Sequence, residues 1–533
     1  MDHPKSVLKS AAQFFFGTVL SRCSGFFREV ALSAWFGATP LMAAFFIAYR
    51  FSQLLRRLFG ESSLLSSFSP HFETLRTQSP EKAQGFFRDL FVSLSTVLTL
   101  LVLVLEGALF AWRTWGTPSE SVSQMIFLTM VMMPGVIFVC LYALFSALLQ
   151  SEKKYFLPSV APVLFNLVFI GSMWWAKDFP GVQSTTGLAI GVTLAFFLQW
   201  GAVLLFSRSY LQGTPWSQAR IFAPELRQMF SAMALTIIGV GAVQINGVID
   251  ALFARYADLS GPAYLYYAMR LYQLPLALFG LALSSALLPP LSRALQQGDT
   301  ARYRQLLNFS LVRSFGFILP ITLAIFAMGD SLVNLVYGRG AFDFTATVHT
   351  TTCLWGYTLG LVPAVFVLLL APAFYAQKDY KTPLYAALLS VGVNLVLNTL
   401  LIVFWGQGSA SVAVATSVSA YFNYFFLSSR LSKKIGPLFD TATRASLGRI
   451  ALCAILAAIF TGGIGYFIMG GTGISLILTP GIIELPRNLL FQLLHLFVLS
   501  GIFILLFFSY AWMLGVREAF EFLGLKKLLK VDS

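Results

Sequence analysis

Long apolar runs separated by short polar turns set the pattern of this chain. Fourteen runs reach about 20 residues, enough to cross roughly 30 Å of hydrocarbon as a helix. They extend from 11–35 to 489–515. The pattern predicts an all-α polytopic membrane protein with 14 transmembrane helices and fits no soluble class.

One run breaks the apolar rule. Residues 43–70 read AAFFIAYRFSQLLRRLFGESSLLSSFSP and carry Arg50, Arg56, Arg57 and Glu61. At 100° per residue, Arg50, Gln53, Arg57 and Glu61 share one helix face. Each charge at membrane depth costs about 2.5–3.5 kcal/mol on insertion scales. Such side chains belong in a watery cavity that an anion enters, with Glu61 pairing with Arg57 at i, i+4 when the anion is absent. The run recurs 220 residues later as AYLYYAMRLYQLPLALFGLALSSALLPP, with Arg270 in the place of Arg50. The second copy has lost the other charges, reading Leu276, Ala277 and Leu281. Asn166-Leu167-Val168 likewise returns as Asn394-Leu395-Val396 at a shift of 228. Two shifts of similar size imply six spans duplicated in parallel. The expected organisation is an N-lobe over 1–222, a C-lobe over 223–435, and an added helix pair with a tail over 436–533. A pseudo-two-fold axis along the membrane normal would relate the six-helix lobes.

Charge supports the topology. The net charge is +14, but the basic residues cluster in the turns rather than forming a nucleic-acid surface. With both termini cytoplasmic, 24 of the 36 Lys and Arg fall inside, five outside and seven within spans. That is the positive-inside bias. Cys23, Cys140, Cys353 and Cys453 form no metal spacing and read as small apolar fillers. His3, His71, His349 and His495 form no catalytic constellation, so no enzyme is expected.

Further polar residues lie in spans. Arg22 and Arg28 interrupt the first, and Arg28 has Glu29 beside it. Asp250 is either a buried acid or an outer-interface one. Asn394 and Asn398 share a face of the eleventh span, and Thr416 lies in the twelfth. These oxygens suit a monovalent cation. They equally suit ordinary interhelical hydrogen bonding.

Several motifs carry a resemblance. They are Ser21-Arg22-Cys23-Ser24-Gly25-Phe26-Phe27-Arg28-Glu29, Leu54-Leu55-Arg56-Arg57-Leu58-Phe59-Gly60-Glu61, Tyr266-Tyr267-Ala268-Met269-Arg270-Leu271, and Phe374-Tyr375-Ala376-Gln377-Lys378-Asp379-Tyr380. In these the chain resembles the MurJ (MviN) family of lipid II flippases, within the MATE-like exporter superfamily. The resemblance implies movement of the lipid-linked peptidoglycan precursor, lipid II, to the outer leaflet of a bacterial cytoplasmic membrane. That places the protein in peptidoglycan and cell wall biogenesis and in cell shape. It implies alternating access, with Arg22, Arg28, Arg56 and Arg270 as cavity arginines on the diphosphate and Arg50, Arg57 and Glu61 beside them. It implies a lipid-tail groove at the added helix pair. No cofactor is expected, and a sodium ion, a proton or the membrane potential stays open as the driving force. The partners are lipid II and membrane lipids, without nucleic acid, for a monomer. An acid common in the family is absent both near Ala43 and at Met269. The alternatives are an exporter of another polyprenyl-diphosphate glycan, an exporter of cationic drugs, and a non-transporting membrane scaffold.

Overall fold

The computed structural model describes residues 4–212, 216–221, 223–469 and 487–516. The side chains of 4–11, 60–67, 225, 228, 232–240, 242–243, 442 and 467–469 lie outside the description, as do residues 470–486 and the tail from 517. All regular structure among the described residues is helical.

The first compact unit is Met1–Val248. It contains α1 (Pro4–Phe36), α2 (Pro40–Arg56), α3 (Ser62–Gln78), α4 (Pro80–Trp115), α5 (Glu120–Ser151), α6 (Phe156–Ala176), α7 (Val182–Leu211) and the start of α8 (Pro224–Ala257). α5 packs on α7, α1 on α6, and α2 on α5. Thr39 starts α2 by accepting from Met42 N, and Pro40 follows where no donor is needed. The stretch Ala43–Ala48 is buried all round, as suits a helix inside a bundle. α4 instead exposes Leu100, Leu103, Val104 and Phe110, a face suited to lipid.

The second unit is Ile249–Ser533. It holds the end of α8, α9 (Gly261–Pro275), α10 (Ala282–Gln296), α11 (Thr300–Tyr337), α12 (Phe344–Thr358), α13 (Leu361–Ala376), α14 (Lys381–Asn398), α15 (Ala410–Ile435), α16 (Thr441–Met469) and α17 (Leu489–Met513). α16 and α17 pack on each other and on α11. Ile450, Cys453, Ala454 and Ala457 meet Leu499, Phe503 and Phe507 there, around Met328.

The repeated sequence carries a repeated backbone feature. A π segment, Arg57–Glu61, joins α2 to α3, and another, Leu276–Leu281, joins α9 to α10. Both contain Leu-Phe-Gly. This corrects the regular helix expected over 43–70. A π turn bonds i to i+5, so 100° spacing does not carry through from Arg57 to Glu61.

Two other expected spans are broken. Span ten is α12 and α13, bent by 43°. Pro363 cannot donate, and its ring would clash with the carbonyl four residues back. A Cβ at Gly360 would lie 2.7 Å from Ser417 Cα, so α15 approaches there without a side chain between. Ser417 Oγ donates to Gly356 O at 2.6 Å and Tyr357 O at 3.1 Å, satisfying carbonyls at the break. In span nine, α11 leaves helical geometry at Met328 (φ −140°, ψ 21°), and Trp355 Nε1 donates to Ile325 O at 3.0 Å.

Among the described residues, 10 helices are long and apolar enough to cross a membrane, or 11 with the bent pair. This is a multi-pass membrane protein. The runs formed by α1, by α2 with α3, and by α8 are not among them. Each holds intramembrane candidates: Arg22 and Arg28, Arg50 to Arg57, and Asp250, respectively.

Candidate functional site

The first unit gathers five arginines on α1, α2 and the first residue of the π segment, against Glu29 as the sole acid of residues 4–56. Arg22 is exposed. Arg28 is half-buried, and its fork is divided. Nη1 donates to Asn166 Oδ1 at 2.8 Å, and Nη2 pairs with the Glu29 carboxylate, the neighbour expected to receive it. The ring of Phe165 lies 5.8 Å from the guanidinium carbon. Asn166 Nδ2 in turn donates to Ser24 Oγ at 2.8 Å and Ser21 O at 3.3 Å, tying α6 to α1. The repeated Asn-Leu-Val motif marked Asn166, but not its role as the holder of Arg28.

Arg50 and Arg57 both reach α8, as their shared face allows. Arg50 Nη1 donates to Gly247 O at 2.5 Å, and Arg57 Nη1 to Gln244 Oε1 at 3.1 Å. A Cβ at Gly247 would lie 3.4 Å from Arg50 Nη1, so the bare backbone is what the arginine meets. Arg56 is half-buried at the end of α2. The Glu61 side chain, and with it the expected Arg57–Glu61 pair, lies outside the described residues.

In the second unit Arg270 bends back over its own helix. Nη2 donates to Tyr266 OH at 3.0 Å, and the guanidinium carbon stands 4.8 Å from that ring. Tyr266 was missed as a partner, although its i−4 position gave the signal.

The oxygen-bearing residues come together. Asp250 is buried, which decides against an outer-interface acid. Its Oδ1 accepts from Asn398 Nδ2 at 2.9 Å, and its Oδ2 from Thr416 Oγ1 at 3.3 Å. Asn398 also donates to Asn394 Oδ1 at 2.9 Å, and Asn394 Nδ2 to Thr416 Oγ1 at 3.2 Å. Three helices, α8, α14 and α15, thus meet at one carboxylate, two amides and a hydroxyl.

α11 and α17 enclose an apolar cavity of about 290 Å³, lined by Gly316, Pro320, Ala324, Met328, Phe503 and Phe507 among others. It lies between the ninth expected span and α17, not between the two helices of the added pair. Three of the four cysteines are buried as expected, whereas Cys23 is exposed on α1.

Residues 32–481 match the family described as lipid II flippase MurJ. The chain belongs to the MurJ family. A probable lipid II flippase MurJ of Chlamydia trachomatis is 31% identical over 468 residues, covering 87% of this chain and 86% of that protein. One of Bdellovibrio bacteriovorus is 30% identical over 96% of each. Among solved structures, a lipid II flippase MurJ in an inward closed conformation superposes with a TM-score of 0.74 at 21% identity, covering 94% of this chain and 99% of that one. An inward-facing multidrug MATE transporter gives 0.61 at 15% identity, covering 76% and 94%. The fold is thus the all-α one that MurJ shares with MATE transporters.

Proposed function

We infer that this protein flips lipid II from the inner to the outer leaflet, as a multi-pass protein of the bacterial cytoplasmic membrane with both termini inside. Family membership carries the reading, and four arginines against one acid on α1 and α2 support it chemically. Arginine holds phosphate oxygens through a planar fork and keeps its charge at any working pH. Four of the arginines are held by internal acceptors, or in one case stacked on a tyrosine: Arg28 on Asn166 and Glu29, Arg50 on a carbonyl, Arg57 on an amide, and Arg270 on Tyr266. A diphosphate offers each a stronger acceptor. In this reading Arg22, Arg28, Arg56 and Arg270 bind the diphosphate during alternating access, and Arg50, Arg57 and Glu61 set the field and the gates. The apolar cavity between α11 and α17 takes part of the polyprenyl chain. The runs of α1, of α2 with α3, and of α8 complete fourteen crossings, their charges facing water rather than lipid.

The donor set at Asp250, Asn394, Asn398 and Thr416 fits a monovalent cation: one buried negative charge with neutral oxygens around it. A sodium ion held there would supply a charge whose entry and exit bias the second unit between conformations. A lone buried carboxylate that takes up a proton would serve the same end.

Transport by the purified chain in vesicles tests the proposal, with lipid II supplied on one side and counted on the other. Movement of lipid II, with phosphatidylcholine left behind, is the expected result. Vesicles that move another polyprenyl-diphosphate glycan and not lipid II would overturn the substrate.

A further inference from the structure

A second cavity, about 800 Å³, opens between the first turns of α11 and α16 and has no place in the account so far. Its chemistry is cationic. Arg304, Arg313 and Arg449 line it, with Thr443 and Ser446 of α16 and the carboxylate of Asp440. Asp440 is already engaged as the cap of α16, its Oδ1 accepting from Thr443 N at 2.7 Å. The Thr443 hydrogen bonds and then the nearby Arg304 hold that carboxyl below its ordinary range. Asn308 Nδ2 anchors the loop between α15 and α16 through Leu438 O at 2.7 Å, and Arg313 lies 4.3 Å from the Phe309 ring. The first turn of α16 adds its own partial positive charge. The cavity thus holds three fixed cations and two hydroxyls, with its one anion occupied.

The two cavities lie on one stripe of α11. Gln305, Asn308 and Val312 line the cationic one, and Gly316, Pro320 and Ala324 the apolar one. These positions follow at steps of three or four, so a single helix face runs from one to the other. Arg304 and Arg313 are separated by roughly 13 Å along the axis. The lower end of the stripe is cationic: the charge bias assigns Arg304 and Arg449 to the cytoplasmic side, and Arg313 lies further along, within the ninth span. The upper part is apolar and lies at hydrocarbon depth. A lipid has the same division.

We infer that this stripe is a reception site for a polyprenyl diphosphate in the cytoplasmic leaflet, with the diphosphate on Arg304, Arg313 and Arg449 and the chain along α11 toward Phe503 and Phe507. Three arginines match the charge of a diphosphate better than that of a phosphodiester. The choice of ligand rests on the transport reading; the existence of an anion site does not. The site lies within the second unit and adds a holding step before transport. It raises the local concentration of substrate without taking part in the crossing.

The test is lipid II transport by the full chain in phosphatidylcholine vesicles, with binding of undecaprenyl diphosphate measured alongside. R304Q/R449Q raises KM about tenfold, about 1.4 kcal/mol, and leaves kcat within about twofold. R444Q, exposed in the first turn of α16 and outside the cavity lining, changes neither. R304K/R449K recovers part of the binding. If the double variant fails to fold, exposed Arg449 alone is replaced and binding is read. Unchanged KM and binding in a folded variant overturn the inference. Competition by phosphatidylglycerol as strong as by undecaprenyl diphosphate also overturns it, since the occupant is then a bulk phospholipid. Equal competition by inorganic diphosphate removes the role of the chain. A native protein that binds undecaprenyl diphosphate through these arginines yet moves no lipid II overturns the transport reading and leaves the site standing.

Discussion

At the scale of single residues, the arginines were legible and, Glu29 apart, their partners were not. A charge inside an apolar run stands out in any sequence. Its acceptor does not, because the fold supplies it from far away. Arg28 meets Asn166 across 138 residues, and Arg57 meets Gln244 across 187. The paired state of Arg28 makes a two-sided prediction. Glu29→Gln leaves the guanidinium without its carboxylate and lowers the stability of the substrate-free protein by about 1–3 kcal/mol. It also removes a competitor of the diphosphate, so lipid II binds more tightly. Thermal unfolding with and without lipid II reads both effects, and a variant with weaker lipid II binding would refute the exchange. Arg28→Lys and Arg270→Lys keep the charge but lose the fork, so transport falls well below native; full activity in either would remove the bidentate contact. The oxygen cluster was half legible: the sequence placed Asn394 and Asn398 on one face but left Asp250 undecided. If the cluster holds sodium, sodium raises the melting temperature of the native chain above that in potassium, and Asp250→Asn abolishes the difference. Equal melting in both salts would point to a proton instead.

At the scale of elements, helix existence followed from the apolar runs, and the breaks did not. The π segments, the bend at Gly360 and the irregular Met328 depend on neighbours. Ser417 and Trp355 fill carbonyls that a straight helix would have used itself. Gly360 and Pro363 were visible as residues, but only the approach of α15 makes that position a bend. Gly360→Ala forces a Cβ to 2.7 Å from backbone of α15 and costs about 1–3 kcal/mol in thermal unfolding; an unchanged melting temperature would show that α15 moves freely. The turn between α13 and α14 carries a pH-dependent clasp. Lys434 Nζ donates to Asp379 Oδ2 at 2.8 Å, with Thr382 N and Oγ1 donating to the same carboxylate. These contacts, led by Lys434, hold the carboxyl down at about 2, below its ordinary 3.8. Its stabilisation is therefore complete above pH 3.8 and lost as pH falls through about 2. The clasp is partly exposed and contributes no more than about 1 kcal/mol. Asp379→Asn should lower the melting temperature at pH 6 and lower it much less at pH 2. Equal losses at both would contradict the ionic origin.

At the scale of the whole molecule, one repeated segment is written both in sequence and in backbone. Leu-Phe-Gly sits in a π segment in each half, although the halves have diverged in charge. Among the described residues hydropathy finds ten or eleven crossings, and the runs of α1 and of α2 with α3, which hold most of the substrate candidates, are not among them. Function was legible at this scale because polarity in a membrane helix is costly and has to be repaid by a role. The cationic cavity at α11 and α16 was not legible, since Arg304 and Arg449 lie near helix starts at the cytoplasmic side, where positive charge is ordinary. The central claim is that arginines of both units carry lipid II. The most direct measurement depletes the resident flippase of a bacterium, supplies this chain, and labels lipid II from outside the cell. The native chain restores labelling, and well-expressed Arg28→Ala and Arg270→Ala do not. Equal restoration by all three would contradict the arginine mechanism, and no restoration by a well-expressed native chain would contradict the substrate itself.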